Sequence, residues 1–253
     1  MKNILITGAS RGIGRAIALK MAESGCNIFL NALCQNGTER LEAVKAEIEG
    51  LRAEKKIPGE TFLVPCDVGD PEAVRDMFER IRNTHTNENE GIDILINNAG
   101  ISHIGLIQDM TDEEWNRIIS VNLSSIHYCS RAVIPHMLAV GEGRILNISS
   151  VWGNIGASCE VAYSATKGGV NAYTKALAKE LAPSNIAVNA IACGCIDTDM
   201  NRNFDEDERA ELCSQIPTGR FASPEEVADL AASICSGSTY LTGQVITFDG
   251  GWT

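Results

Sequence analysis

Tyr163 and Lys167 stand four residues apart in Ala-Tyr-Ser-Ala-Thr-Lys, a spacing that stacks both side chains on one face of a helix. A phenol beside an ammonium is a proton-transfer device. Free tyrosine titrates near pH ~10 and lysine near ~10.4, and a neighbouring positive charge favours phenolate, drawing the tyrosine toward the range where general acid/base catalysis works. A second chemical motif opens the chain: Ile-Leu-Ile-Thr-Gly8-Ala-Ser-Arg-Gly12-Ile-Gly14 reads as a strand over residues 4–7, a glycine-rich turn and a helix over 13–23. Gly8 permits the tight turn, Gly12 lets the backbone approach a pyrophosphate, and Gly14 allows close packing of the helix, whose N-terminal amides and dipole face the anion.

These groups need elements to hold them. Apolar runs at 28–31, 61–65, 94–97, 144–149, 187–191 and 245–248 alternate with helical patterns at 39–54, 71–82, 124–138, 165–181 and 224–233, which predicts repeated βα winding. The expected fold is α/β: one Rossmann-type, doubly wound parallel sheet with helices on both faces, spanning residues 1–253 as a single domain. Such sheets bind ligands beyond the carboxyl ends of their strands. Gly8, Asn98, Ser150 and Gly194 follow strand ends and are therefore expected along one edge. The polar stretch 83–91 reads as a surface loop without chemistry.

Composition narrows the function classes. The 253 residues are 44% hydrophobic, enough for one substantial core. A net charge of −12 disfavours nucleic acid as a partner, because binding a phosphate backbone needs a basic footprint. No apolar run approaches the ~18 residues of a membrane span and no leader precedes the first strand, so no membrane partner and a cytoplasmic location are expected. Nine cysteines, odd in number and without Cys-x-x-Cys pairs, suggest neither a disulfide framework nor a zinc site, and the four histidines lack ligand spacing; no metal is expected.

With these motifs in hand, the whole chain resembles the short-chain dehydrogenase/reductase family. The family's Thr-Gly-x-x-x-Gly-x-Gly corresponds to Thr7 to Gly14, its Asp-Val to Asp67-Val68, and its Asn-Asn-Ala-Gly to Asn97 to Gly100. Its catalytic asparagine is similar to Asn122, its serine to Ser150, and its Tyr-x-x-x-Lys to Tyr163 and Lys167. The resemblance implies hydride transfer from a nicotinamide to a carbonyl carbon while Tyr163 protonates the oxygen, Ser150 hydrogen-bonds that oxygen, Lys167 lowers the phenol pKa and holds the ribose, and Asn122 holds a relay water. Ser149 is a rival by adjacency, but successive strand residues point to opposite faces, and the family spacing selects Ser150. Cofactor contacts are expected from Gly8, Ser10, Arg11, Gly12, Ile13, Gly14, Asp67, Val68, Asn98, Ala99, Gly100, Tyr163, Lys167, Ile196 and Thr198. The second strand ends Asn31-Ala32-Leu33 without the acid that would hold an NAD ribose, and Arg11 suits a 2′-phosphate, so NADP(H) is the expected cofactor. Where the family has Pro-Gly after the sixth strand this chain has Cys193-Gly194, which leaves the stiffness of that turn open.

For the substrate, Asp-Glu-Glu-Trp115-Asn and Thr198-Asp-Met200 resemble the 3-oxoacyl-[acyl-carrier-protein] reductases, whose carrier-bound ketones are then the implied substrate. The basic side chains for carrier docking are absent at Gly141-Glu142 and Pro183-Ser184. Trp152-Gly-x-x-Gly156-Ala-Ser-Cys159-Glu160 instead resembles reductases of the aminopentanone modification on elongation factor P, where Glu160 would favour a cationic substrate arm over an acyl chain; Glu160 as an ordinary exposed charge is the other reading. A non-catalytic dinucleotide sensor or scaffold is the remote alternative, since such proteins usually lose the tyrosine or lysine. The resemblance further implies a homotetramer built on helices 124–138 and 165–181, with Trp252 as an anchor at a second interface. Residues 201–222 are expected to form a substrate lid in which Met200, Phe204, Leu212 and Ile216 share a face, either packed on the sheet edge or closing over the substrate, with Phe204 on the substrate side.

Overall fold

In a computed structural model, which describes residues 1–84, 91–201 and 205–253, the apolar runs become seven strands: β1 (Asn3–Ile6), β2 (Asn27–Leu30), β3 (Thr61–Leu63), β4 (Ile94–Asn97), β5 (Gly143–Ser150), β6 (Ile186–Cys193) and β7 (Val245–Phe248). All neighbours pair in parallel, in the order β3-β2-β1-β4-β5-β6-β7. The four central strands are buried along their whole length. Parallel strands covered on both faces read as unbroken apolar runs, and that is why periodicity alone located them.

Nine helices lie among the described residues: α1 (Gly12–Ala22), α2 (Cys34–Lys55), α3 (Pro71–Thr84), α4 (Asp112–Ile119), α5 (Ser125–Val140), α6 (Trp152–Ile155), α7 (Val161–Leu181), α8 (Glu206–Gln215) and α9 (Pro224–Ser236). One core layer joins α1, α2 and α9 to the sheet through Ile17, Leu41 and Val227. The other joins α3, α5 and α7 through Met77, Val133 and Ala178. Among the described residues no helix is long and apolar enough to cross a membrane.

Strand order reverses between β1 and β4, whose carboxyl ends therefore diverge into a crevice. Gly8 turns there at φ +65°, and a Cβ on Gly14 would sit 2.3 Å from the Gly8 carbonyl oxygen. No other residue lets α1 start so close to the turn. The Asn98 amide donates to the Thr7 and Gly8 carbonyls at 2.9 and 3.0 Å, while the Thr7 hydroxyl accepts from the Asn98 and Ala99 amides. The two walls of the crevice are thus tied by side chains as well as by β pairing.

Candidate active site

The crevice deepens into a cleft of about 360 Å³. Gly8, Ser10, Arg11, Gly12 and Ile13 line one wall, Asp67, Val68, Asn98, Ala99 and Gly100 another, and Ser150, Tyr163, Lys167, Ile196 and Thr198 the far end. Gly8, Asn98 and Gly194, past strand ends, meet Ser150, the last residue of β5, at this one edge. Gly14 lies behind the turn rather than on the lining, as its packing role requires. Arg11 caps α1 without a side-chain bond to it, and the first turn carries no acid. Its amides are left for an anion.

β5 delivers Ser150 and α7 delivers Tyr163 and Lys167. The Ser150 hydroxyl lies close enough to the Tyr163 phenol to lower its titration and accepts from the Trp152 amide at 3.2 Å. Ser149 is engaged elsewhere, donating to Asn171 Oδ1 at 2.6 Å and to the Lys167 carbonyl at 3.3 Å. Strand alternation thus separates the two serines.

Charge in this cleft differs from the expectation in one respect. Burial pushes the Tyr163 phenol up, helped by Cys193 and Glu160, with Ser150 working against them. Lys167 does not reverse this. Its ammonium lies 5.5 Å from the ring centroid, donates to the Ile148 carbonyl at 2.8 Å, and is itself lowered to about 8 by burial. With both groups desolvated, burial outweighs the pairing that spacing alone suggested.

Asn122 is fully buried and sits in a π-helical turn, Ser120–Ser124, between α4 and α5. Its Oδ1 accepts from the Ile101 amide and its Nδ2 donates to the Ile101 carbonyl, both at 2.8 Å. The side chain clamps the cleft-lining segment after Gly100. A Cβ on Gly100 would lie 3.5 Å from Asn122 Oδ1 and 3.8 Å from Lys167 Nζ, so asparagine and lysine share one corner.

At the mouth the sequence is a weaker guide. Trp152 and Glu160 stand outside the cleft lining, where the half-buried Glu160 carboxylate is raised chiefly by burial, with the neighbouring Trp152 indole working against it. Trp252 packs edge-on against Trp152 with centroids 5.0 Å apart. Trp252, expected as an interface anchor, is thus half-buried within its own chain. Asp249 ties that terminus down by accepting from the Gly251 and Thr253 amides.

Phe204, expected on the substrate side of the lid, lies outside the described residues. Of its three companions, Met200 is exposed and lines the cleft, whereas Ile216 is buried and faces Gly250. The residues described do not form a single closing face. The Cys193-Gly194 turn is held without proline: Cys193 pairs with both β5 and β7, Gly194 donates to Phe248 at 2.9 Å, and a Cβ on Gly194 would meet that of Asp249 at 2.7 Å. The Cys193 thiol is pushed up to about 12 by burial, which makes it a poor nucleophile.

Sequence reasoning passed over α4 and read α8 only as a charged helix face without its start, although Thr111-x-x-Glu114 and Asp205-x-x-Glu208 are capping boxes with both reciprocal bonds formed. That signal was available in the sequence. The roles of Asn31 and Asp199 on the lining had no such signal.

The sequence model of the short chain dehydrogenase family matches residues 2–209. The chain is 38% identical over 253 residues to a 3-oxoacyl-[acyl-carrier-protein] reductase of Chlamydia pneumoniae, covering 100% of this chain and 97% of that one. It is 41% identical over 248 residues to the enzyme of that name from Aquifex aeolicus, covering 98% and 95%. Among solved structures it resembles a 3-oxoacyl-[acyl-carrier protein] reductase from Brucella melitensis with a TM-score of 0.89 and 33% identity, over 100% of this chain and 91% of that chain. The parallel sheet, the glycine turn at its switch point and these full-length likenesses agree: the chain belongs to the short-chain dehydrogenase/reductase family, an oxidoreductase acting on carbonyl or hydroxyl groups with a nicotinamide dinucleotide.

Proposed function

We propose that the protein reduces a ketone to an alcohol with NADPH, in the manner of a 3-oxoacyl thioester reductase. The observation that carries this reading is the meeting of Ser150, Tyr163 and Lys167 in one cleft that runs unbroken into the glycine turn. The cradle fits a dinucleotide: Gly8 and Gly12 have positive φ, the first amides of α1 are uncapped, and no acid stands at Ala32 to meet a ribose 2′-hydroxyl. When bound, the nicotinamide supplies hydride to the carbonyl carbon.

The remaining work belongs to this chain. Ser150 donates to the ketone oxygen and orients it, and Tyr163 gives that oxygen its proton. A phenol kept protonated by burial is suited to the acid half of this reaction. Lys167 holds the cofactor ribose and, as an ammonium, favours the phenolate left after transfer. With the Asn122 side chain committed to Ile101, the relay water falls to the main chain of its π-turn. Arg11 meets the 2′-phosphate. Residues 201–222 cover the substrate, and four subunits assemble through α5 and α7.

Glu160 favours a second reading of the substrate. A half-buried carboxylate against the Trp152 indole, close enough to Tyr163 to influence its titration, would be relieved by a cationic amino-ketone such as that carried on elongation factor P. Turnover with NADPH and NADH on a panel of 3-oxoacyl thioesters and amino-ketones separates these readings. Thioester turnover supports the first, amino-ketone turnover the second, and inactivity across the panel contradicts both.

A further inference from the structure

Arg11 and Asp199 meet across the cofactor cleft. Arg11 Nη1 donates to Asp199 Oδ2 at 3.1 Å, linking the glycine turn to the short helical turn Asp199–Asn201 beyond β6. One residue along, the same segments touch again, since a Cβ on Gly12 would lie 3.3 Å from Thr198 Cγ2. The far side of this strap is anchored: Asn201 Nδ2 donates to the Ile196 carbonyl at 2.8 Å and the Asp197 amide to Ala222 at 2.9 Å. The near side is open to solvent at Arg11, whose side chain is 59% exposed against 26% for Asp199.

The other basic groups on the lining are held elsewhere. Arg117 pairs with Asp67 at 2.7 Å and Lys167 donates to Ile148. At the end of β2 the Asn31 amide donates to Val64 and Cys66. Among the described residues of the lining, Arg11 is therefore the base a 2′-phosphate would draw on, and its guanidinium already has a carboxylate.

Resting on the NADPH reading above, we infer that Asp199 is a specificity-determining residue that holds Arg11 in the free protein and yields it to the cofactor 2′-phosphate. A phosphate with about two negative charges and three acceptor oxygens outcompetes a single carboxylate for a guanidinium. A 2′-hydroxyl does not. Asp199 thus lowers the affinity for the phosphorylated cofactor by the fraction of Arg11 it occupies, and the exchange unfastens the strap only when a 2′-phosphate arrives.

The test is equilibrium titration of the full chain, as wild type, Asp199→Asn, Arg11→Ala and the double variant, with NADPH, NADH, adenosine 2′,5′-bisphosphate and adenosine 5′-monophosphate. Asp199→Asn is expected to tighten NADPH and the bisphosphate about two- to fivefold, the scale of an exposed ion pair, and to leave NADH and the monophosphate unchanged. That gain should vanish in the Arg11→Ala background. Unchanged NADPH affinity in Asp199→Asn, or equal changes for NADPH and NADH, overturns the inference while leaving a wild-type preference for NADPH intact. A wild type without that preference removes the NADPH reading and this inference together.

Discussion

The two ends of the cleft are made of different material. The cofactor end is built from backbone: positive-φ glycines, helix amides, and an Asn98 amide that ties Thr7 and Gly8 across the sheet. The substrate mouth is built from side chains, with Trp152 set between Trp252 and Glu160 and Met200 exposed on the cleft lining. Backbone sites tolerate almost no substitution, because a Cβ on Gly14 would run into the Gly8 carbonyl and the Asn98 amide bonded to it. Side-chain sites can change one group at a time. One fold can therefore keep its cofactor while altering its substrate.

The seam between the two ends should be the most sensitive point. Replacing Tyr163 with Phe removes the acid at the carbonyl and should lower ketone turnover by ~100-fold or more, while the dissociation constant for NADPH in a fluorescence titration stays within about threefold. Lys167 should reveal itself in stability. Its folded value of about 8 lies below the ordinary 10.5, so between those pH values the unfolded chain keeps a proton that the folded chain has lost, and stability rises with pH. Below about 8 both states are protonated and the full penalty of the buried ammonium remains. Lys167→Met should abolish a rise of about 3 kcal/mol, read as the wild-type minus variant difference in denaturant unfolding, which cancels the buried thiols common to both.

The next two variants separate the ends. Gly14→Ala forces the Gly8 carbonyl aside and should weaken NADPH about tenfold, an overpacking penalty of ~1–3 kcal/mol, with a lower melting temperature. Glu160→Gln should move only the ketone, changing its KM a few-fold while cofactor affinity holds: upward for an amino-ketone, downward or not at all for an acyl thioester. Equal effects of Gly14→Ala and Glu160→Gln on cofactor and ketone would erase the distinction between the ends.

The same division explains what could be read from sequence. Gly8, Gly12 and Gly14 announce themselves because their backbone geometry excludes other residues, and the buried strands do so through unbroken apolar runs. Tyr163 and Lys167 are legible because a helix converts four-residue spacing into proximity. The π-turn around Asn122 has no compositional mark. The Arg11–Asp199 pair joins positions 188 apart, and Trp152–Trp252 similarly depends on how β7 delivers the terminus. Such contacts follow from tertiary packing, on which local pattern is silent. The Tyr163 titration departs from its spacing for a related reason: spacing shows the neighbouring charge but not the loss of solvent around both groups.

The central claim is carbonyl reduction where the two ends meet. Its most direct test follows deuterium from NADPH labelled at the transferring position of the nicotinamide ring into the product of the best ketone, by mass spectrometry, in ordinary water. Reduction predicts an alcohol carrying one deuterium on carbon in wild type, and a rate of label transfer at least ~100-fold lower in Tyr163→Phe. An unlabelled alcohol, or label transfer at the wild-type rate in the phenylalanine variant, would contradict the account.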